Sequence, residues 1–181
     1  MFNFENKDVL VIGLGGPGQA ACELLRKQGA NVAGVDMADT AALREGARRL
    51  ESLGVDVALG VTTPPEREFN LAVLSPTIPA DAELIQAVSR TDLPMIGELE
   101  LGFQQAKCLT VAIAGTNGKS TTSALIERVL TNNHRKTLVA GHRGRPVCSI
   151  IEETRNLDFL LLQANSFQLE RTKFFRRNLC C

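Results

Sequence analysis

The chain has 181 residues, enough for one ordinary domain or for a small domain and part of another. Its 20 basic and 20 acidic residues balance, and it has neither Trp nor Tyr, so neither charge nor base stacking indicates a nucleic-acid partner. No apolar run approaches the roughly 20 residues of a membrane span. The polar start lacks the apolar region of a signal peptide, so we expect a cytoplasmic location. Five cysteines without a C-x-x-C pair, and only two histidines, indicate neither a disulfide framework nor a zinc site.

The first 36 residues have the pattern of a βαβ unit. An apolar run over 8–12 leads into a G-x-G-x-x-G turn with Gly13, Gly15 and Gly18, and helical spacing follows over 19–27. A second apolar run over 31–36 ends in Asp36. This arrangement is typical of a dinucleotide or other pyrophosphate site, where Asp36 would hold a ribose or a base edge.

Strand and helix patterns continue to alternate up to residue 106. The helix patterns lie at 41–53, 80–90 and 98–106, and the strand patterns at 55–59, 71–74 and 94–97. Such alternation predicts a doubly wound parallel sheet, which binds ligands beyond the C-terminal ends of its strands. The glycine turn, Asp36 and Ser75 all fall at that edge. We therefore expect a Rossmann-like domain over residues 1–106.

A strand, a glycine-containing loop and a helix follow residue 107. An apolar run over 109–113 precedes Gly115-Thr116-Asn117-Gly118-Lys119-Ser120-Thr121, and helical spacing covers 121–130. Such a loop points backbone N–H groups and a helix N-terminus at a phosphate. Lys119 would reach the β- and γ-phosphates, and Ser120 would bind Mg²⁺. Ile113 occupies the first glycine position of the strict P-loop pattern, so a strand–turn–helix that binds nothing stays an alternative.

The second domain is expected to be incomplete. Besides 109–113, strand patterns occur only at 137–140 and 158–162, with a helix pattern at 147–153. Three strands are too few for an ordinary nucleotide-binding α/β domain. We expect residues 107–181 to form part of a P-loop-type α/β domain. Its unpaired sheet edge would favour association in an otherwise monomeric protein.

The motifs, taken in order, resemble those of the Mur ligases of peptidoglycan precursor synthesis. The resemblance extends over nearly the whole chain up to Glu170. It rests on the glycine turn, Ser75-Pro76-Thr77-Ile78-Pro79, Glu98-Leu99-Glu100-Leu101, the 115–122 loop and Ser166-Phe167-Gln168-Leu169-Glu170. The last of these segments narrows the resemblance to the family member that uses D-glutamate.

The resemblance implies an ATP-dependent ligase that adds D-glutamate to UDP-N-acetylmuramoyl-L-alanine through an acyl phosphate. Such an enzyme would serve cell wall biogenesis, cell shape and cell division. Lys119 would be catalytic, and residues 115–121 would bind ATP. The UDP-sugar would contact Gly15, Asp36, Ser75 and His142, and Mg²⁺ would contact Ser120 and Gln163.

The chain departs from the family pattern at several of these positions. Gln163 replaces a metal-binding glutamate, Thr77 a glycine, Asn165 a serine and His142 an asparagine. The C-terminal ligase domain with the D-glutamate site is absent from the sequence, so we expect a truncated chain that is inactive alone. Two alternatives stay open. One is a non-catalytic nucleotide-binding remnant, and the other is an NAD(P)-dependent oxidoreductase based on the glycine turn and Asp36.

Overall fold

A computed structural model describes residues 3–79, 81–141 and 145–165, together with 168, 169, 172 and 175. The chain divides into an N-terminal unit, Phe2–Glu98, and a C-terminal unit that begins at Leu99. The division falls eight residues before the boundary expected after residue 106. The helix Glu98–Gln105 lies between residue 98 and residue 106, and it packs against residues that come later in the sequence. A Cβ at Gly102 would lie 2.5 Å from Val147, and the Phe103 ring centroid is 5.0 Å from that of Phe175. The strand pattern that restarts near residue 107 does not reveal this packing.

The N-terminal unit is a five-stranded parallel sheet with helices, which confirms the predicted Rossmann-like α/β fold. Its strands have the order β3-β2-β1-β4-β5. They are β1 Asp8–Ile12, β2 Asn31–Asp36, β3 Asp56–Leu59, β4 Leu71–Leu74 and β5 Met95–Gly97, and the helices are α1 Gly16–Lys27, α2 Ala41–Ser52 and α3 Glu83–Ser89. β1 and β4 are almost fully buried, as continuous apolar runs predict for parallel strands. The strand order reverses between β1 and β4, and such a reversal opens a crevice at the C-terminal strand ends.

The first helix begins earlier than its apolar spacing predicts. α1 starts at Gly16 rather than at residue 19, because Gly15 is its N-cap and Pro17 lies in its first turn. Thr40 caps α2, where its hydroxyl accepts a hydrogen bond from the Leu43 N–H at 3.3 Å. The glycine turn therefore passes directly into a helix, and this places the N-terminus of α1 in the crevice.

The C-terminal unit contains a second parallel sheet, in agreement with the predicted P-loop-type α/β class. α4 is Glu98–Gln105, whose first residue lies in the N-terminal unit. It is followed by β6 Leu109–Ala114, α5 Lys119–Asn132, β7 Thr137–Gly141 and β8 Phe159–Ala164. The strand order is β6-β8-β7, so β6 is an edge strand of the sheet formed by the described residues.

The helix predicted over 147–153 is wrong. Two 3₁₀ turns, Val147–Ile150 and Glu153–Asn156, occupy this part of the chain. The Ser149 hydroxyl donates to the Pro146 carbonyl at 2.7 Å and the Thr154 hydroxyl to the Ile151 carbonyl at 2.6 Å. Such local side-chain bonds compete with continuous α-helical pairing, which apolar spacing alone does not report.

β6 and the outer face of α5 expose apolar side chains. Leu109 is 67% exposed, and Leu125 and Val129, one helical turn apart on α5, are each 61% exposed. Among the helices that the structure describes, none has the length and apolar character needed to cross a bilayer.

Candidate functional site

The glycine turn after β1 lies at the point where the strand order reverses. Gly13 has a φ of +89° and donates to the Val35 carbonyl at 2.8 Å. A Cβ at Gly18 would lie 1.7 Å from the Gly13 carbonyl oxygen, so α1 packs directly against the turn. Around Gly15, the one described side chain that a Cβ would contact is that of Thr77, at 3.4 Å. The backbone at the N-terminus of α1 is thus open to an anionic ligand such as a phosphate.

Ser75 borders the same turn. Its N–H donates to the Ile12 carbonyl at 2.9 Å, and its buried hydroxyl lies 2.9 Å from the Thr77 hydroxyl. A Cβ at Gly13 would lie 2.4 Å from the Ile78 side chain. The 75–79 segment therefore covers the glycine turn, with the Thr77 hydroxyl beside Gly15 and the Ser75 hydroxyl next to that of Thr77. Gly15 and Ser75 thus lie together at the C-terminal edge of the sheet, and Thr77, which the sequence did not predict there, lies next to both.

Asp36 stabilises the loops on either side of it. Its Oδ2 accepts from the Leu14 N–H at 2.7 Å, and its Oδ1 accepts from the Ala38 N–H at 2.9 Å. The residue is buried at the end of β2. Both carboxylate oxygens therefore already accept backbone hydrogen bonds. Asp36 therefore has a structural role, in addition to the ribose or base contact that the sequence predicts.

The loop between β6 and α5 contains two glycines with positive φ angles. Gly115 has a φ of +148°, and Gly118, the N-cap of α5, has a φ of +78°. No atom of the described residues lies within 4 Å of a Cβ placed at Gly118, so its left-handed backbone rather than crowding favours glycine there. Thr116, Asn117, Gly118, Ser120 and Thr121 are exposed. The predicted ATP-binding residues thus form one accessible strand–loop–helix junction.

Lys119 folds over this loop. Its Nζ donates to the Gly115 carbonyl oxygen and lies 3.4 Å from the Thr116 carbonyl oxygen. The ammonium group is therefore held beside the backbone of the loop and at the first residue of α5. A cation at that place can meet the negative charge of a phosphate group.

Gln163 links β8 to α5 through a hydroxyl group. Its buried amide Nε2 donates to Ser123 Oγ at 3.0 Å, and Ser123 Oγ donates to the Lys119 carbonyl at 2.7 Å. A serine hydroxyl has one hydrogen, so Ser123 accepts from Gln163 while it donates to Lys119. The sequence reasoning missed Ser123. Its position four residues after Lys119, where a serine can bond back along the helix, was the available signal.

The donor set around the loop does not fit Mg²⁺. P-loop proteins hold this ion with the loop serine or threonine and an acidic residue, and Mg²⁺ prefers oxygen ligands that include carboxylates. The first turn of α5 has no acidic residue, and β8 ends in Gln163 and Ala164. Across the described ranges, no cluster of three His, Cys, Asp or Glu side chains could hold a metal ion. Ser120 supplies one neutral oxygen, and the Gln163 amide nitrogen already faces Ser123.

Some residues singled out in the sequence lie outside the described part of the chain. His142 is the expected site residue among them, and Ser166, Phe167 and Glu170 belong to the segment that carries the family resemblance. Asn165 and Gln168 are described, and each side chain accepts from the backbone N–H of the other, at 2.8 and 3.1 Å. An asparagine at 165 thus provides a reciprocal capping contact, a role in which serine is equally favoured.

Comparison with solved structures defines the class of fold. The UDP-N-acetylmuramate:L-alanyl-γ-D-glutamyl-meso-diaminopimelate ligase from Neisseria meningitides superposes with a TM-score of 0.51 at 20% identity, over 93% of this chain and 57% of that chain. A UDP-N-acetylmuramate–alanine ligase from Thermotoga maritima gives a TM-score of 0.50 at 18% identity, over 88% of this chain and 37% of that chain. At such identities the likeness concerns the fold, which is that of these Mur ligase chains.

Sequence comparison is more specific. The chain is 34% identical over 181 residues to the UDP-N-acetylmuramoylalanine–D-glutamate ligase of Thermoanaerobacter pseudethanolicus, covering 98% of this chain and 39% of that protein. The ligase of the same name from Caldanaerobacter subterraneus is 37% identical, with 98% and 40% covered, and that from Acidobacterium capsulatum is 38% identical, with 95% and 38% covered.

These matches confirm the resemblance to the Mur ligases, and in particular to the ligases that use D-glutamate. The chain spans about two-fifths of the length of these relatives. No family model matches the chain.

Proposed function

We propose that this chain is the substrate-nucleotide and phosphate-loop part of an ATP-dependent ligase that adds D-glutamate to UDP-N-acetylmuramoyl-L-alanine. The observation that supports this most directly is 34% to 38% identity, across both units, to ligases named for that reaction. The reaction belongs to peptidoglycan precursor synthesis, and so to cell wall biogenesis, cell shape and cell division. We propose a cytoplasmic location for it.

The geometry supports a division of roles between the two units. In the N-terminal unit, the open backbone at Gly15 and the hydroxyls of Ser75 and Thr77 offer hydrogen bonds to the UDP-sugar. In the C-terminal unit, residues 115–121 surround the phosphates of ATP. Lys119 exchanges the Gly115 carbonyl for phosphate oxygens and neutralises charge there. His142, which lies outside the described residues, is proposed at the UDP-sugar by resemblance alone.

The chemistry needs charge neutralisation more than covalent participation by the protein. The L-alanyl carboxylate oxygen bonds to the γ-phosphorus of ATP, and the bond to the β-phosphate oxygen breaks to release ADP. The amine of D-glutamate then bonds to the acyl carbon and loses a proton, while phosphate leaves. Lys119 supplies the cation that both anionic steps require.

Calorimetric titration of the chain with three ligands tests the proposal. We expect UDP-N-acetylmuramoyl-L-alanine and ATP to bind and NAD not to bind. Lys119→Ala should weaken ATP binding about tenfold or more, because a charge-assisted contact is worth roughly 1.5–3 kcal/mol. It should leave UDP-sugar binding unchanged. The exposed Lys136 provides the matched control, Lys136→Ala. Binding of NAD without the UDP-sugar would favour the oxidoreductase instead.

A second candidate function is nucleotide binding without ligation, and the neutral Gln163 at the end of β8 favours it. Phosphate release that depends on both UDP-N-acetylmuramoyl-L-alanine and D-glutamate separates the two candidates. We expect none from this chain, because Lys119 lies at the loop while the first turn of α5 and the end of β8 supply no carboxylate to hold a divalent cation. Release that Lys119→Ala abolishes would show an active ligase.

A further inference from the structure

Within the described part of the chain, the first turn of α5 and the end of β8 bring cationic or neutral groups to the phosphate loop. Lys119 provides a positive charge, Ser120 an exposed hydroxyl, and α5 the positive end of its dipole. β8, the strand beside β6, ends with Gln163 paired to Ile113 and Ala164 paired to Ala114. No carboxylate in the first turn of α5 or at the end of β8 could attract a divalent cation.

The hydrogen bond from Gln163 to Ser123 uses the amide N–H as its donor. Ser123 uses its hydrogen on the Lys119 carbonyl, so only a donor can satisfy its oxygen from β8. A glutamate has no hydrogen to donate when ionised. It would take the Ser123 hydrogen and leave the Lys119 carbonyl without that bond. The first turn of α5 and the end of β8 are therefore matched to a neutral side chain.

We propose that the phosphate loop of this chain binds nucleotide polyphosphate as the metal-free anion. The inference rests on nucleotide binding at this loop, as proposed above, and specifies the ionic form that is bound. A divalent cation chelated by ATP cancels part of the charge that Lys119 and the α5 dipole attract. The loop provides no carboxylate that would compensate for this loss. The metal-free ligand is thus the better partner.

Titration of the intact chain with ATP, once in EDTA and once in excess Mg²⁺, tests the inference. We expect binding in EDTA to be several-fold tighter than in Mg²⁺, because the uncancelled charge is the larger attraction. Equal binding in the two buffers, or tighter binding in Mg²⁺, would overturn the inference and leave the proposed ATP site intact. Absence of binding in both buffers would overturn the proposed ATP site and this inference together.

Two variants test the role of the strand end. Gln163→Glu should make Mg²⁺ favourable for ATP binding by about threefold or more, since it restores a carboxylate beside the loop. Asn165→Asp adds a carboxylate at the same end of β8 while it keeps the acceptor for the Gln168 N–H, and it serves if Gln163→Glu does not fold. Gln86→Glu, on the exposed face of α3, adds the same charge elsewhere and should leave the EDTA preference unchanged. If neither strand-end variant shifts the preference towards Mg²⁺, the missing carboxylate does not cause the EDTA preference and the inference is overturned.

Discussion

At the scale of single residues, the packing of α1 against the glycine turn requires glycine only where a Cβ would have no room. The Cβ of an alanine at Gly18 would lie 1.7 Å from the Gly13 carbonyl oxygen, which is a backbone atom that cannot rotate away. Two positions earlier, a Cβ at Gly16 would meet no atom within 4 Å in the part of the chain that the structure describes. The two glycines lie in the same first turn of α1 and differ chiefly in this contact.

Gly18→Ala should therefore destabilise the fold and Gly16→Ala should not. We expect Gly18→Ala to lower the free energy of unfolding by about 1–3 kcal/mol, the usual effect of overpacking. Gly16→Ala should change it by about +0.4 to +1 kcal/mol, because alanine reduces the freedom of the unfolded chain. Urea denaturation followed by circular dichroism measures both. Equal stability of the two variants would mean that α1 is not packed against the turn in this way.

Sequence reasoning identified where the site residues lie better than it identified their bonds. Gly15 and Ser75 were predicted at one edge, because each follows a buried parallel strand and the C-terminal ends of such strands meet. The partners of Asp36 were not predicted, since they depend on the paths of the loops at Leu14 and Ala38. The contact between Gln163 and Ser123 was not predicted either, because it joins residues 40 positions apart. No local pattern encodes such a distance.

At the scale of secondary structure elements, the elements that could be predicted from the sequence are those whose burial leaves an apolar pattern. β1 and β4 are covered on both faces, so their sequences are continuous apolar runs. α1 also buries half of its residues, including Cys22, which lies against Gly34 of β2. The 147–153 segment has an apolar pattern too, but Ser149 and Thr154 bond their own backbone and produce 3₁₀ turns. Hydrophobic spacing thus locates buried segments but does not distinguish an α-helix from 3₁₀ turns.

Burial of Cys22 gives a chemical test of how α1 packs. The thiol has no exposed surface, and a Cβ at Gly34 of β2 would lie 3.5 Å from its sulfur. Burial raises the pKa of the Cys22 thiol above its usual range, so less of the nucleophilic thiolate exists at pH 8. Iodoacetamide should label Cys22 in denaturant but not in the native protein, as peptide mass spectrometry can report. Partly exposed Cys108 serves as the internal comparison, and native labelling of Cys22 at the rate of Cys108 would contradict the packing.

At the scale of the whole molecule, the two units differ in how their sheets are covered. β1 pairs with both β2 and β4 and is buried along most of its length. β6 pairs with β8 alone in the described sheet, and most of its residues are half-buried or exposed. Local stability follows burial and hydrogen bonding of the backbone. The sheet of the N-terminal unit should therefore be the more stable one.

Hydrogen exchange measured by mass spectrometry tests this difference. Amides of β1, β2 and β4 should exchange at least tenfold more slowly than those of β6, which corresponds to a difference of about 1.4 kcal/mol or more in opening free energy. Central β8 provides a control within the second sheet and should exchange more slowly than β6. Protection of β6 equal to that of β1, in a sample shown to be monomeric, would contradict the expectation.

The bond between the Lys119 ammonium and the Gly115 carbonyl has a consequence for the entropy of ligand binding. A free lysine side chain loses about 2 kcal/mol of conformational freedom when a ligand fixes it. In this loop the side chain is already held by Gly115 and Thr116, so most of that loss occurs on folding. An arriving phosphate exchanges one oxygen partner for another, and the released carbonyls lie on exposed residues that water can reach. The Lys119 side chain is thus ordered before the ligand binds. Its loss of conformational entropy lowers the free energy of unfolding rather than the affinity for the ligand.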